Sequence, residues 1–158
     1  MSFCKNKYSQ GQSLFEVVLA IAVIALISVA VINASVTAIR NNSFSKSSTD
    51  ANKYTEEAME WLRRRRDDNW NSLASHANSG GRDWCLDEPL PEPGEGWVGG
   101  SGCAEDEYVT GSKYVRELTL TQETEGIILA EVTVTWTDAQ GSHTINTSTR
   151  FTDWRNAI

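Results

Sequence analysis

The sequence predicts an α+β fold in which one long N-terminal helix packs on a small antiparallel sheet. Three observations carry this. Residues 14–32 form a run of 19 that is apolar except for Glu16 and Ser28. From Ala51 onward, apolar residues return at helical spacing: Ala51, Tyr54, Ala58, Trp61 and Leu62. The C-terminal part alternates with period two, as a sheet with one buried face does.

As a helix, the first run rises about 28 Å at 1.5 Å per residue, close to the ~30 Å hydrocarbon core of a bilayer. Lys5 and Lys7 precede it. By the positive-inside rule they place the N-terminus in the cytoplasm and the rest of the chain outside it. A secretory signal peptide cleaved after its apolar stretch, a plain anchor, and a buried helix of a soluble protein are the alternatives. Length and flanking charge disfavour the last. Glu16 separates the others, because a carboxylate two residues inside an apolar run is costly unless it reaches the interface or a partner. Neither a signal peptide nor a simple anchor needs one. Ala20, Ala22, Ala25, Ser28, Ala30 and Ala34 are small enough for close helix approach, although alanine is also ordinary transmembrane composition.

The segment Gly11-Gln12-Ser13-Leu14-Phe15-Glu16 followed by VVLAIAVIALI resembles the class III signal of type IV prepilins and type II secretion pseudopilins. The resemblance implies cleavage by a prepilin peptidase between Gly11 and Gln12, N-methylation of the new Gln12 amine, and Glu16 as the assembly carboxylate. The family usually begins its mature chain with Phe, where this one has Gln12. The implied partners are other pilin subunits, met through the N-terminal helix, the prepilin peptidase, an inner-membrane assembly platform and the membrane itself. The implied location is the cytoplasmic membrane, single-pass with the C-terminal domain outside, and then a cell-surface or periplasmic filament. The chemistry agrees with this reading: a freed amine at Gln12 and the Glu16 carboxylate lie at similar depth, and between neighbouring subunits each neutralises a charge that is costly alone. The run Arg66-Asp67-Asp68-Asn69-Trp70 and the ending VTWTD…INTSTRFTDWR resemble PilV-type minor pilins.

No proline precedes Pro89. Many pilins carry a helix-breaking proline partway along this segment, so its absence predicts a straighter helix, continuing to Asp68. Glu56, Glu57, Glu60 and the arginines at 63–66 take the faces opposite the apolar stripe. Four arginines flanked by Trp61 and Trp70 invite a nucleic-acid reading. A solvated helix end is the stronger one, with Arg63–Asp67 and Arg64–Asp68 paired at i,i+4. The formal charge of −7 also opposes a nucleic-acid partner.

Residues 78–112 are Gly-rich and hold all three prolines, and are expected to form a long irregular loop. Between Asp83 and Glu107 there are eight acidic residues and no Lys or Arg. Such a set could hold Ca²⁺, but no EF-hand spacing is present and a solvated acidic loop is the simpler expectation. With Cys4 in the leader, Cys85 and Cys103 remain as an even pair in an exported domain, which predicts a disulfide closing the loop, the alternative being two free thiols. Trp84 and Trp97 are expected to cover a small core, the alternative being partner-binding anchors.

In IILAEVTVTW, residues Ile128, Ala130, Val132, Val134 and Trp136 share one face. Ile145, Thr147, Thr149 and Phe151 share another, and YVRELTLT supplies a strand with Leu118 and Leu120 inward. Asp138-Ala139-Gln140-Gly141 is a turn between two of these strands. Three or four strands are expected, so the whole is pilin-like: leader 1–11, membrane-spanning assembly helix 12–34, amphipathic continuation 35–70, irregular acidic loop 71–112 and sheet 113–158. His76 and His143 stand in no catalytic motif and no metal-ligand spacing occurs, so no enzyme activity and no cofactor are expected. The expected function is that of a structural subunit, a minor pilin of a type IV pilus or related filament; the alternatives are a type II secretion pseudopilin and a membrane-anchored extracytoplasmic binding module that uses the acidic loop.

Overall fold

The computed structural model describes residues 10–104 and 107–155, with side chains from residue 14. Cys4, Lys5 and Lys7 of the leader, the Gln12 side chain, and Glu105 and Asp106 of the loop lie outside the described residues. The elements are α1 (Gln10–Asp68), α2 (Trp70–Ser75), β1 (Arg82–Cys85), β2 (Tyr114–Thr124), β3 (Ile127–Asp138) and β4 (Gly141–Thr152). The chain divides into two units, Met1–Ser45 and Lys46–Ile158, and α1 contributes to both.

In the first unit α1 carries its apolar run exposed. Its hydroxyls are satisfied within the helix: Ser28, Ser35 and Thr37 donate to the carbonyls of Ile24, Val31 and Asn33, one turn back. The 59 residues of α1 run without interruption, as the absence of proline predicts.

In the second unit the stripe Ala51, Ala58, Trp61 and Leu62 is buried against Leu118, Leu120, Ile128, Ala130, Val132, Val134, Trp136 and Phe151 of the sheet. The period-two faces read for β2 and β3 are therefore core faces, whereas on β4 only Phe151 is buried, Ile145 and Thr149 are half-buried and Thr147 is exposed. The sheet is an antiparallel meander in the order β1-β2-β3-β4. Asp138 pairs with Gly141 across the expected turn, and Gln140 N donates to Asp138 Oδ1 at 2.8 Å. Two contacts join the start of β2 to the helix: Lys113 Nζ donates to Ser47 Oγ at 2.8 Å, and the Tyr114 hydroxyl donates to the Ser47 carbonyl at 3.1 Å.

One boundary differs from the sequence reading. The expected irregular stretch 71–112 contains α2 and the fourth strand, β1. β1 is four residues long with two charged side chains, too short for its own periodicity to show. It is a strand because β2 offers it an edge, with Trp84 opposite Leu118 and buried. The helix ends at Asp68, as expected, within the 35–70 segment. Asn69 turns to extended backbone (φ −150°, ψ 100°) and its side chain accepts from Ser72 N at 3.0 Å, capping α2 instead. Beyond β4 the chain returns to the end of α1. Trp154 Nε1 donates to Asp67 Oδ1 at 3.5 Å and the Arg155 guanidinium donates to the Asp67 carbonyl. The hydrogen bond from Arg66 leads the set that holds the Asp67 carboxyl below its ordinary range.

Candidate functional site

Two features have chemistry that the fold alone does not require. The first is the start of α1. The Gly11–Gln12 peptide falls in the first helical turn, since α1 begins at Gln10. Glu16 is four residues beyond Gln12, on the same face and about 6 Å further along the axis. From Leu14 to Ile27 every residue but Glu16 is apolar, and the thirteen large apolar side chains of residues 14–32 are all exposed. At about 1.5–3 kcal/mol each, leaving them in water forgoes roughly 20–40 kcal/mol. This segment is long and apolar enough to cross a membrane, and Glu16 is the single ionisable group within it.

The second feature is the loop between β1 and β2, held down at two points. Cys85 and Cys103 are joined by a disulfide. Around it Cys85 N donates to the Ser101 carbonyl at 3.0 Å, and Cys103 N donates to Glu117 Oε1 at 3.1 Å. A Cβ at Gly102 would displace that same Glu117 carboxylate, the flexible end of its side chain, from Cys103 N. The other hold is Arg65. Its guanidinium donates to the carbonyls of Glu95 at 2.9 Å, Gly96 at 2.7 Å and Pro91 at 3.2 Å. Trp61 Nε1 donates to the same Pro91 carbonyl at 2.7 Å. The captured segment is a turn in which Glu95 N donates to the Glu92 carbonyl at 3.0 Å. Pro93 and Gly94 (φ +87°) stand at its centre, the residues a type II turn calls for. Trp97 stacks on His76 with centroids 3.9 Å apart, and Trp84 donates to the His76 carbonyl at 3.2 Å. Both tryptophans thus pack with the core, as expected.

Arg116 backs this arrangement. Its side chain is 1% exposed and donates to the Leu86 carbonyl at 3.2 Å and to Glu57 Oε2 at 3.0 Å. Burial lowers its pKa, and Glu57 opposes that shift.

These contacts correct the expected arginine pairing. Arg63 pairs with Glu60 at i,i+3, Arg64 with Glu92 of the loop, and Arg66 with Asp67. The i,i+4 pairs Arg63–Asp67 and Arg64–Asp68 are not formed, because loop and helix offer nearer acceptors. Nor are all four arginines solvated: Arg65 is 6% exposed. A carboxylate-walled recess of about 530 Å³, lined by Asp87, Glu88, Glu95, Trp97 and Glu107, lies beside the disulfide. Among the described residues, the group of possible metal ligands at its edge is Cys85, Cys103 and Glu107, and both sulfurs are committed to the bridge.

The disulfide has an expected signature. Mature protein should take up a thiol reagent under denaturing conditions only after reductant is added. Reduction should raise hydrogen exchange in residues 86–102 and leave β2–β4 protected, since the bridge contributes about 3 kcal/mol to closing the loop while the strands keep their own apolar face. Equal loosening of loop and sheet would refute that division.

No family model, curated protein or solved structure matches the chain.

Proposed function

We propose that this protein is a structural subunit of a type IV pilus or related filament, a minor pilin of the PilV type, or else a type II secretion pseudopilin that serves the corresponding filament. A prepilin peptidase cuts between Gly11 and Gln12, and the Gln12 amine is methylated. The apolar half of α1 anchors the chain and then enters the filament, where Glu16 neutralises the Gln12 amine of a neighbour. One observation carries the reading: an apolar helix with no cover of its own and a lone carboxylate one turn from the cleavage site. The disulfide supports an oxidising, extracytoplasmic setting for the second unit.

Mass spectrometry of the mature protein tests the processing. Gln12 is expected as the first residue, methylated, and Gly11→Val is expected to leave full-length protein in the membrane. A mature N-terminus near Ala34 would establish an ordinary signal peptide and overturn the reading.

A further inference from the structure

We propose that the free edge of β4 is a docking site for an extended segment of a different polypeptide, which adds a fifth strand to the sheet. Among the described residues β4 pairs with β3 alone, and its 12 residues keep register with β3 without a break from Gly141 to Thr152. Along the outer side of such a strand, alternate N–H and C=O groups point away from the sheet. Folded proteins blunt a long edge with proline, lysine, an inward-pointing carboxylate or a bulge. β4 contains no Pro, Lys, Asp or Glu, and no bulge. Arg150 is held by Glu123 of β2, at 2.6 and 2.9 Å. The opposite edge is protected. β1 is four residues long, two of them charged, and the loop lies against it, with Cys85 N donating to the Ser101 carbonyl at 3.0 Å.

A second observation, independent of the edge, says what fits there. The cover over the core face stops one strand short of β4. Every core-facing residue of β2 from Tyr114 to Leu120 and of β3 from Ile128 to Trp136 is buried. On β4 the same row is half-buried at Ile145, exposed at Thr147 and half-buried at Thr149, and only Phe151 is closed over. An added strand with apolar side chains on that face lies beside Ile145 and Thr147 and continues the core outward. Its other side chains meet Thr144, Asn146 and Ser148, all uncharged. The occupant is therefore a segment of about nine residues, spanning roughly 30 Å beside residues 142–150 and apolar at every second position. A second copy of this chain does not meet those terms. Antiparallel pairing of two β4 strands needs a two-fold axis normal to the sheet, which reverses residues 46–68 of α1 in the second copy. Two chains anchored in one membrane with the same orientation do not run oppositely. Parallel pairing about an axis along the strands sets the core face of one sheet beside the solvent face of the other. Excluding a copy rests on the anchoring in the proposed function; the edge and its open inner row do not.

The test is peptide binding by the full-length protein in detergent micelles, read by hydrogen exchange. The probe is the end-blocked peptide KVTVTVTVK. The comparison is KVVVVTTTK, which matches it in charge and composition but does not alternate. Saturating KVTVTVTVK is expected to slow exchange in residues 142–150 at least about ten-fold and to leave β1 unchanged. Thr147→Lys sets a charge in the open inner row, at an exposed position, and is expected to weaken binding at least about ten-fold. Thr144→Lys, on the solvent face, is expected to bind as the native chain does. The two peptides test the edge without any substitution, so the proposal stays open to refutation even if a variant folds poorly. No slowing at about 1 mM peptide, equal slowing by KVVVVTTTK, or native binding by folded Thr147→Lys would overturn it. Exchange in 142–150 that is slow without peptide and quickens on dilution would show a second copy on the edge and sink the assignment to a different polypeptide.

Discussion

Glu16→Val is expected to be inserted and cleaved like the native chain and to be absent from filaments. The reason lies in what the substitution does to two different functions. For anchoring, replacing a carboxylate by valine extends the apolar run and improves membrane retention. For assembly, it leaves the Gln12 amine of a neighbour buried without a partner. Removing one member of a buried ion pair costs about 3–5 kcal/mol, a hundred-fold to several-thousand-fold per contact. The two roles thus predict opposite outcomes for a single change. The measurement compares sheared surface filaments with the membrane fraction for native and variant chains. Equal incorporation would mean that Glu16 has no part in assembly.

How much of this was legible depended on whether a residue's role follows from phase. The buried faces of β2 and β3 follow from period two, and the helix stripe from Ala51 to Leu62 follows from its spacing, because burial imposes those periods directly, while on edge strand β4 only Phe151 of the alternating set is buried. Arg65 obeys the same rule. It lies seven, four and three residues after Ala58, Trp61 and Leu62, on the buried face, and is missed when the four arginines are read as one basic run. Arg116 has the inward parity of Tyr114 and Leu118, a signal that a charge there must find a partner, which is Glu57. β1 had no such signal, since its four residues become a strand only through β2. The disulfide was legible from cysteine count and position. The hold of Arg65 on the loop was not, because its acceptors are backbone carbonyls, which every residue carries. The cleavage site rests on its motif, as residues before Gln10 lie outside the described part.

Arg65→Ala is expected to free the turn at residues 92–95 while the disulfide stays closed. The native guanidinium spans three carbonyls and packs 5.3 Å from the Trp61 ring centroid and 5.8 Å from that of Trp97. Hydrogen bonds from a charged donor contribute about 1.5–3 kcal/mol each, but the freed carbonyls regain water once the turn lifts, so a net loss of about 2–4 kcal/mol is expected. Because the turn can open without the sheet, this loss falls on local opening. A protease that cuts after glutamate should then cleave at Glu95 at least about thirty-fold faster, for full-length protein held in detergent micelles; the bond after Glu92 is to Pro93 and resists it. Arg65→Met separates the contributions: it keeps much of the packing on Trp61 and Trp97 and loses the donors, so it should resemble Ala in cleavage rate if the hydrogen bonds dominate. Arg65→Lys retains the charge as a single point that cannot fork to three acceptors, and should fall between. The neighbouring control is Arg64→Ala, whose exposed pair with Glu92 at 3.6 Å contributes at most about 1 kcal/mol. If Arg65→Ala is cut no faster than Arg64→Ala, the turn is held by the disulfide and the Trp61 contact alone, and the arginine is incidental to it.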